Sequence, residues 1–126
     1  MSRLNSAAPT FAVADVGAAA RWYEAELGFE IHSFPDEEPW VFAILVRDGV
    51  ELMLQRIEGY RKPDLRRLRP EGQWDAYIRM AGVEELFETV RDRVEILTPP
   101  TRRPYGDTEF EVLDPNGYVL VFSELI

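Results

Sequence analysis

The feature that most constrains this chain is an internal duplication. Val16 and Val83 open two helical patterns 67 residues apart, and Gly49 and Gly117 sit in two hairpin turns 68 residues apart. In the first half, residues 9–14 read as a short apolar strand. Asp15 is placed to cap a helix over Gly17 to Leu27, where Val16, Ala19, Ala20, Tyr23 and Leu27 recur at helical spacing and Gly28 supplies the stop. Phe29 to Phe34, Trp40 to Val46 and Val50 to Arg56 then read as strands, the last two joined by the Asp48-Gly49 turn. The second half repeats the plan. Trp74 to Met80 reads as a strand, Val83, Leu86, Phe87 and Val90 share one helical face, and Val94 to Leu97 is a strand followed by a Pro-rich loop over 98–107.

The closing segment, Thr108 to Glu124, is the clearest element. Glu109 to Leu113 alternates polar and apolar, Asp114-Pro115-Asn116-Gly117 supplies turn chemistry, and Tyr118 to Ser123 is rich in β-branched and aromatic residues. The expected fold is therefore α+β: two tandem βαβββ modules with curved mixed sheets, over residues 9–56 and 74–124, joined by a loop at 57–73. A ferredoxin-like sandwich is the competitor, and it has only two strands after its helix where this repeat has three.

With 126 residues and 46% hydrophobic content, one domain is expected. No apolar run approaches a membrane span or a signal-peptide core, which predicts a soluble, cytoplasmic protein without a membrane partner. Zero cysteines exclude disulfides, thiolate zinc and a Cys nucleophile. The single imidazole, His32, leaves little room for a multi-histidine metal site and reads as a strand residue. Net charge is −9, yet Arg61 to Arg69 carries five Lys/Arg against one Asp, so the remainder sums to −13. Such a surface argues against nucleic acid and for cationic partners; solubility alone is its other use. The basic run reads as a connecting loop or short helix with Leu65 and Leu68 tucked in.

Three short motifs carry a resemblance. Pro104-Tyr105-Gly106, Thr108-Glu109-Phe110 and Asp114-Pro115-Asn116-Gly117 resemble the closing hairpin of the vicinal-oxygen-chelate superfamily of glyoxalases, extradiol dioxygenases and bleomycin resistance proteins, the last being nearest. Ala8-Pro9, Asp15-Val16 and Leu27-Gly28-Phe29 match its opening. The resemblance implies the same two-module fold. It also implies four metal-ligand positions, which here hold Ala8, Met53, Asp75 and Val121. Three of these cannot ligate, so no metal, no cofactor and no catalytic residue is expected. Glu51, Glu109 and Glu111 alternate on strands in the way that marks a wetter face.

Strand alternation gives the residues that share a face with the four positions implied by the resemblance: Thr10 and Ala12, Glu51 with Met53 and Gln55, Tyr77 and Arg79, Val119 with Val121 and Ser123. Together with Asp75 and with Trp40, Phe42, Trp74 and Tyr105 at its rim, this face is suited to a flat or cationic small molecule. The expected ligand-binding set is Trp40, Phe42, Glu51, Met53, Gln55, Asp75, Tyr77, Tyr105 and Val121. The resemblance implies an antibiotic-sequestering protein, its partner a cationic glycopeptide, that forms a homodimer exchanging the Met1 to Ala8 arm about Pro9. The alternative it leaves open is a glyoxalase-type lyase, isomerase or dioxygenase with a relocated metal site.

Overall fold

In the computed structural model, which describes residues 1–125, the repeat is built as two four-stranded sheets, each backed by one helix. The first module runs β1 (Thr10–Val13), α1 (Val16–Leu27), β2 (Glu30–Phe34), β3 (Phe42–Arg47) and β4 (Val50–Arg56). The second runs β5 (Ala76–Arg79), α2 (Val83–Val90), β6 (Glu95–Arg102), β7 (Asp107–Leu113) and β8 (Val119–Leu125). The strand orders are β1-β4-β3-β2 and β5-β8-β7-β6, with β1 and β5 parallel to their neighbours and the rest antiparallel. Both sheets therefore follow one topology, as the duplicated spacing requires.

Local chemistry accounts for the helix ends. The Asp15 carboxylate accepts from Ala18 N–H at 3.0 Å, and Gly28 ends α1 with φ 73°, a left-handed conformation that a side chain would strain. One side of each sheet lies under its helix: Phe11, Val13, Leu52 and Leu54 in the first, Leu120, Phe122, Phe110 and Val112 in the second are all buried. The other sides face away from the helices and form the two concave faces.

The modules meet at a joint built largely by two tyrosines. Tyr118 stacks on Phe11 with centroids 4.1 Å apart, and its hydroxyl donates to the Ala12 carbonyl at 2.6 Å. The Tyr23 hydroxyl donates to Asp114 Oδ2 at 2.5 Å, while Asp114 Oδ1 accepts from Asn116 and Tyr118 N–H groups. Burial pushes the acidities of both phenols down, with Tyr118 raised to a pKa of about 12, so they stay neutral donors.

Two expectations need correction. The supposed loop over 98–107 continues β6 as far as Arg102 despite Pro99 and Pro100. β6 is an edge strand, where missing N–H donors cost the ladder nothing on the open side, and its pairing with β7 shifts register around Thr98. Secondly, Leu65 and Leu68 are not tucked in. They lie 40% and 82% exposed in and just after a single 3-10 turn at Leu65–Arg67. The side chain of that basic run that is buried is that of Lys62, whose ammonium lies 3.4 Å from Asp75 and over the Tyr118 ring.

Candidate ligand site

The concave face of the second module is an acidic cup closed by its own side chains. Asp107, Glu109 and Glu111 alternate along β7 and so share a face, with Ser123 and Val121 beside them on β8 and Tyr77 on β5. Glu109 is 0% exposed, Asp107 3% and Glu111 8%. The wetter face expected for Glu109 and Glu111 is thus a buried one. Its carboxylates are tolerated because each is bonded: Arg103 Nε donates to Glu109 Oε1 at 3.2 Å and its Nη2 to Glu111 Oε2 at 3.4 Å. Tyr77 donates to Glu109 Oε2 at 2.5 Å, and Asp107 accepts from Ser123 at 2.7 Å and Arg79 at 2.8 Å.

Three carboxylates against the two guanidiniums of Arg79 and Arg103 leave the cup with one negative charge in excess. The Ser123 hydroxyl, followed by Tyr77 and Arg79, holds the Asp107 carboxyl below the usual carboxylate range, so it remains ionised. Burial, then the Glu109 carboxylate, raises the pKa of Tyr77, and the same causes in the same order raise that of Tyr105. Both phenols therefore stay protonated, and Tyr77 is the one that donates into the cup. Trp74 lies edge-on to Tyr77 at 6.0 Å and donates to Glu111 at 3.3 Å, and Tyr105, 56% exposed, stands at the rim. An aromatic wall over an acidic floor is an arrangement that takes a cation with a flat face.

The first module has the same geometry with different residues. Ile44 pairs with Met53, Val46 with Glu51 and Phe42 with Gln55, so these side chains share one face with Thr10 and Ala12. Here Met53 and Phe42 are half-buried, while Glu51 and Gln55 are exposed. His32 is half-exposed on the same sheet, 3.3 Å from Glu30.

The nine residues expected to bind ligand therefore separate into groups. Phe42, Glu51, Met53 and Gln55 gather on the open first face, and Tyr77, Tyr105 and Val121 gather at the second cup, with Val121 fully buried as its floor. Trp40 belongs with neither. It precedes β3, packs beside α1 with the Arg21 guanidinium 4.8 Å from its ring, and donates to the Asp36 carbonyl. Asp75 lies just before β5, and its carboxylate accepts from Val119 N–H at 2.8 Å and Gln73 at 3.1 Å. It braces the joint. Sequence reasoning missed Arg103 and Asp107. A signal existed: three like charges at alternate positions of one strand repel unless a cation is brought to them.

The residues present do not fit the divalent metal of the related enzymes. Of the four positions, Ala8, Met53 and Val121 offer no hard donor, and the oxygens of Asp75 are engaged by Val119, Gln73 and Lys62. Among the described residues no three His, Cys, Asp or Glu side chains converge as a metal site. No helix among them is long and apolar enough to cross a membrane.

Comparison with known proteins agrees with this architecture. The TioX protein of Micromonospora sp. ML1 superposes with a TM-score of 0.72 at 19% identity, over 96% of this chain and 100% of that one. The bleomycin-binding protein of bleomycin-producing Streptomyces verticillus, solved with copper(II)-bleomycin, gives 0.71 at 25% identity over 97% of each chain. A glyoxalase-related enzyme of Clostridium phytofermentans gives 0.77 at 14% identity, over 99% and 98%. No curated protein matches the sequence itself. The pattern of the glyoxalase/bleomycin resistance protein/dioxygenase superfamily matches residues 3–122, and with two βαβββ modules built as that pattern requires, the chain belongs to this superfamily.

Proposed function

We propose that the protein sequesters a cationic, partly aromatic small molecule, without metal chemistry, in a cleft walled by the acidic cup. The observation that carries this reading is the buried carboxylate ladder. Glu109 is wholly buried, and the guanidinium of Arg103 lies on Glu109 and Glu111, where the cation of a ligand would find the same partners. Tyr77, Trp74 and Tyr105 supply stacking faces beside it. The likeness to a bleomycin-binding protein makes a glycopeptide antibiotic the first ligand to test.

The open face of the first module supports a homodimer in which that face of one protomer covers the cup of its partner, giving two clefts. Residues 1–7 are exposed and lack secondary structure, as suits an arm that crosses to a partner about Pro9. A cytoplasmic location accompanies this reading.

Calorimetric titration with bleomycin at low salt tests the ligand. Saturable heat supports it, and none at about 0.1 mM rejects this drug. A thermal-shift screen of natural products then finds the alternative, and a screen in which cationic aromatics never raise the melting temperature rejects the class. For assembly, light scattering decides: a mass of twice 14.5 kDa is expected, and 14.5 kDa itself overturns the dimer.

A further inference from the structure

The duplication produces two equivalent joints between the modules, one filled and one empty. At the filled joint the Tyr118 ring lies on Phe11 with planes within 7°, and its hydroxyl donates to the Ala12 carbonyl. Strand register identifies the counterparts. Phe11 pairs with Leu54 as Ile78 pairs with Phe122, and Ala12 pairs with Gln55 as Arg79 pairs with Ser123, with the same offsets of 67 and 68 residues that relate the two halves. Carried back by 68 positions, Tyr118 becomes Val50, the residue after Gly49 as Tyr118 is the residue after Gly117. The second joint therefore has Ile78 and Val50 where the first has Phe11 and Tyr118. At the turn position the difference is a phenol, and beneath it an aliphatic side chain replaces a ring.

At that place the molecule has a cavity of about 390 Å³, on the helix side of the sheets and opposite the acidic cup. Val50, Ile78, Phe29, Leu86, Met80 and Phe122 form its apolar wall. The size suits a small ligand, and an apolar wall with a few polar groups at its edge, here Arg47, Asp48 and the Arg79 backbone, accepts an aromatic ring. The cations nearby are already engaged: Arg47 Nη1 donates to the Leu27 carbonyl at 2.9 Å, and the Arg79 guanidinium turns to Asp107. A neutral ring is therefore favoured over a carboxylate.

We propose that this cavity is a binding site for a small monocyclic phenol. Its ring takes the place corresponding to that of the Tyr118 side chain, and its hydroxyl donates to the Arg79 carbonyl, the counterpart of the Ala12 carbonyl. The site owes nothing to the cup and stands or falls independently of it.

The test uses p-cresol, the tyrosine side chain as a free molecule, titrated into protein with labelled Ile, Leu and Val methyls. Saturable shifts at Val50, Ile78 and Leu86, half-complete at about 1 mM or below, are expected. No saturable shift, or shifts centred on Val121 in the cup, overturns the proposal. Val50→Tyr supplies the ring within the chain and should weaken p-cresol binding by at least about tenfold while raising the melting temperature. Undiminished binding to that variant overturns it as well. The wild-type titration is decisive even should the variant not fold. Toluene, which lacks the hydroxyl, should bind several-fold more weakly, and equal binding removes the Arg79 carbonyl from the proposal.

Discussion

The two concave faces are products of one duplicated plan, and they differ in both their residues and their exposure. Under the helices the halves agree: Leu52 and Leu54 match Leu120 and Phe122 in position, burial and apolar character. On the concave side the first module exposes Glu51 and Gln55 around half-buried Met53, whereas the second closes Asp107, Glu109 and Glu111 under Arg103 and Tyr77. The comparison shows where the scaffold is free to vary. Helix-facing positions must fill a core of fixed volume, while concave positions answer only to what occupies the cleft.

Breaking the joint that holds the two faces in one molecule should have the largest effect. Asp114→Ala leaves the buried Tyr23 hydroxyl and Tyr118 N–H, and the half-buried Asn116 N–H, without their acceptor, and a loss of about 3 kcal/mol is expected in urea unfolding. Asp114→Asn should cost less, because its carbonyl still accepts from Asn116 and Tyr118 and burial already raises the Asp114 pKa. Next comes the closed cup itself. Glu109→Ala deprives Arg103 and Tyr77 of their shared acceptor and should cost about 2 kcal/mol.

Much of this contrast is legible in the sequence. The DPNG turn declares its hairpin because each residue has a conformational reason to be there, and Asp15 with Gly28 brackets α1 by capping chemistry. The alternation of β7 shows that Glu109 and Glu111 share a face. It carries no information on whether that face is open, because what closes it is Arg103, which reaches back from the bend before β7. The side on which Trp40 lies is hidden from the sequence for a related reason. A large aromatic beside a strand start can turn to either layer, and only the position of Arg21 on α1 decides which. Pro99 and Pro100 conceal a strand because the rule against proline is suspended on an edge.

At the rim the effect should pass from stability to binding. Tyr105→Ala removes a half-exposed ring from the mouth of the cup, and affinity for a cationic aromatic ligand should fall by about 1–2 kcal/mol in calorimetry with little change in melting temperature. A variant that unfolds instead would make the ring part of the core. Acid sharpens the same contrast. Because the folded pKa of Asp107 lies below its ordinary value, the stability it contributes is present above the unfolded value of about 3.9 and is lost as pH falls through the folded one. Asp114 acts in the opposite sense, its contribution fading as pH rises through its raised value. The acid limb of a melting-temperature profile should therefore flatten in Asp107→Asn.

The smallest expected effect lies on the open face, in Glu51→Ala. Glu51 sits within β4 opposite Val46, its backbone held by the ladder and its side chain in solvent. Removing the carboxylate forfeits no buried partner, so stability should change by less than about 0.5 kcal/mol, against about 2 kcal/mol for Glu109→Ala. Equal costs for the two variants would mean that the first face is closed too, and would erase the contrast between the modules. The same variant also reports on assembly. If the open face of one protomer covers the cup of its partner, Glu51 adds its charge to the cleft, and affinity for a cationic ligand should drop several-fold while the urea midpoint stays fixed. Unchanged affinity would assign binding to the second module alone and leave the first as scaffold.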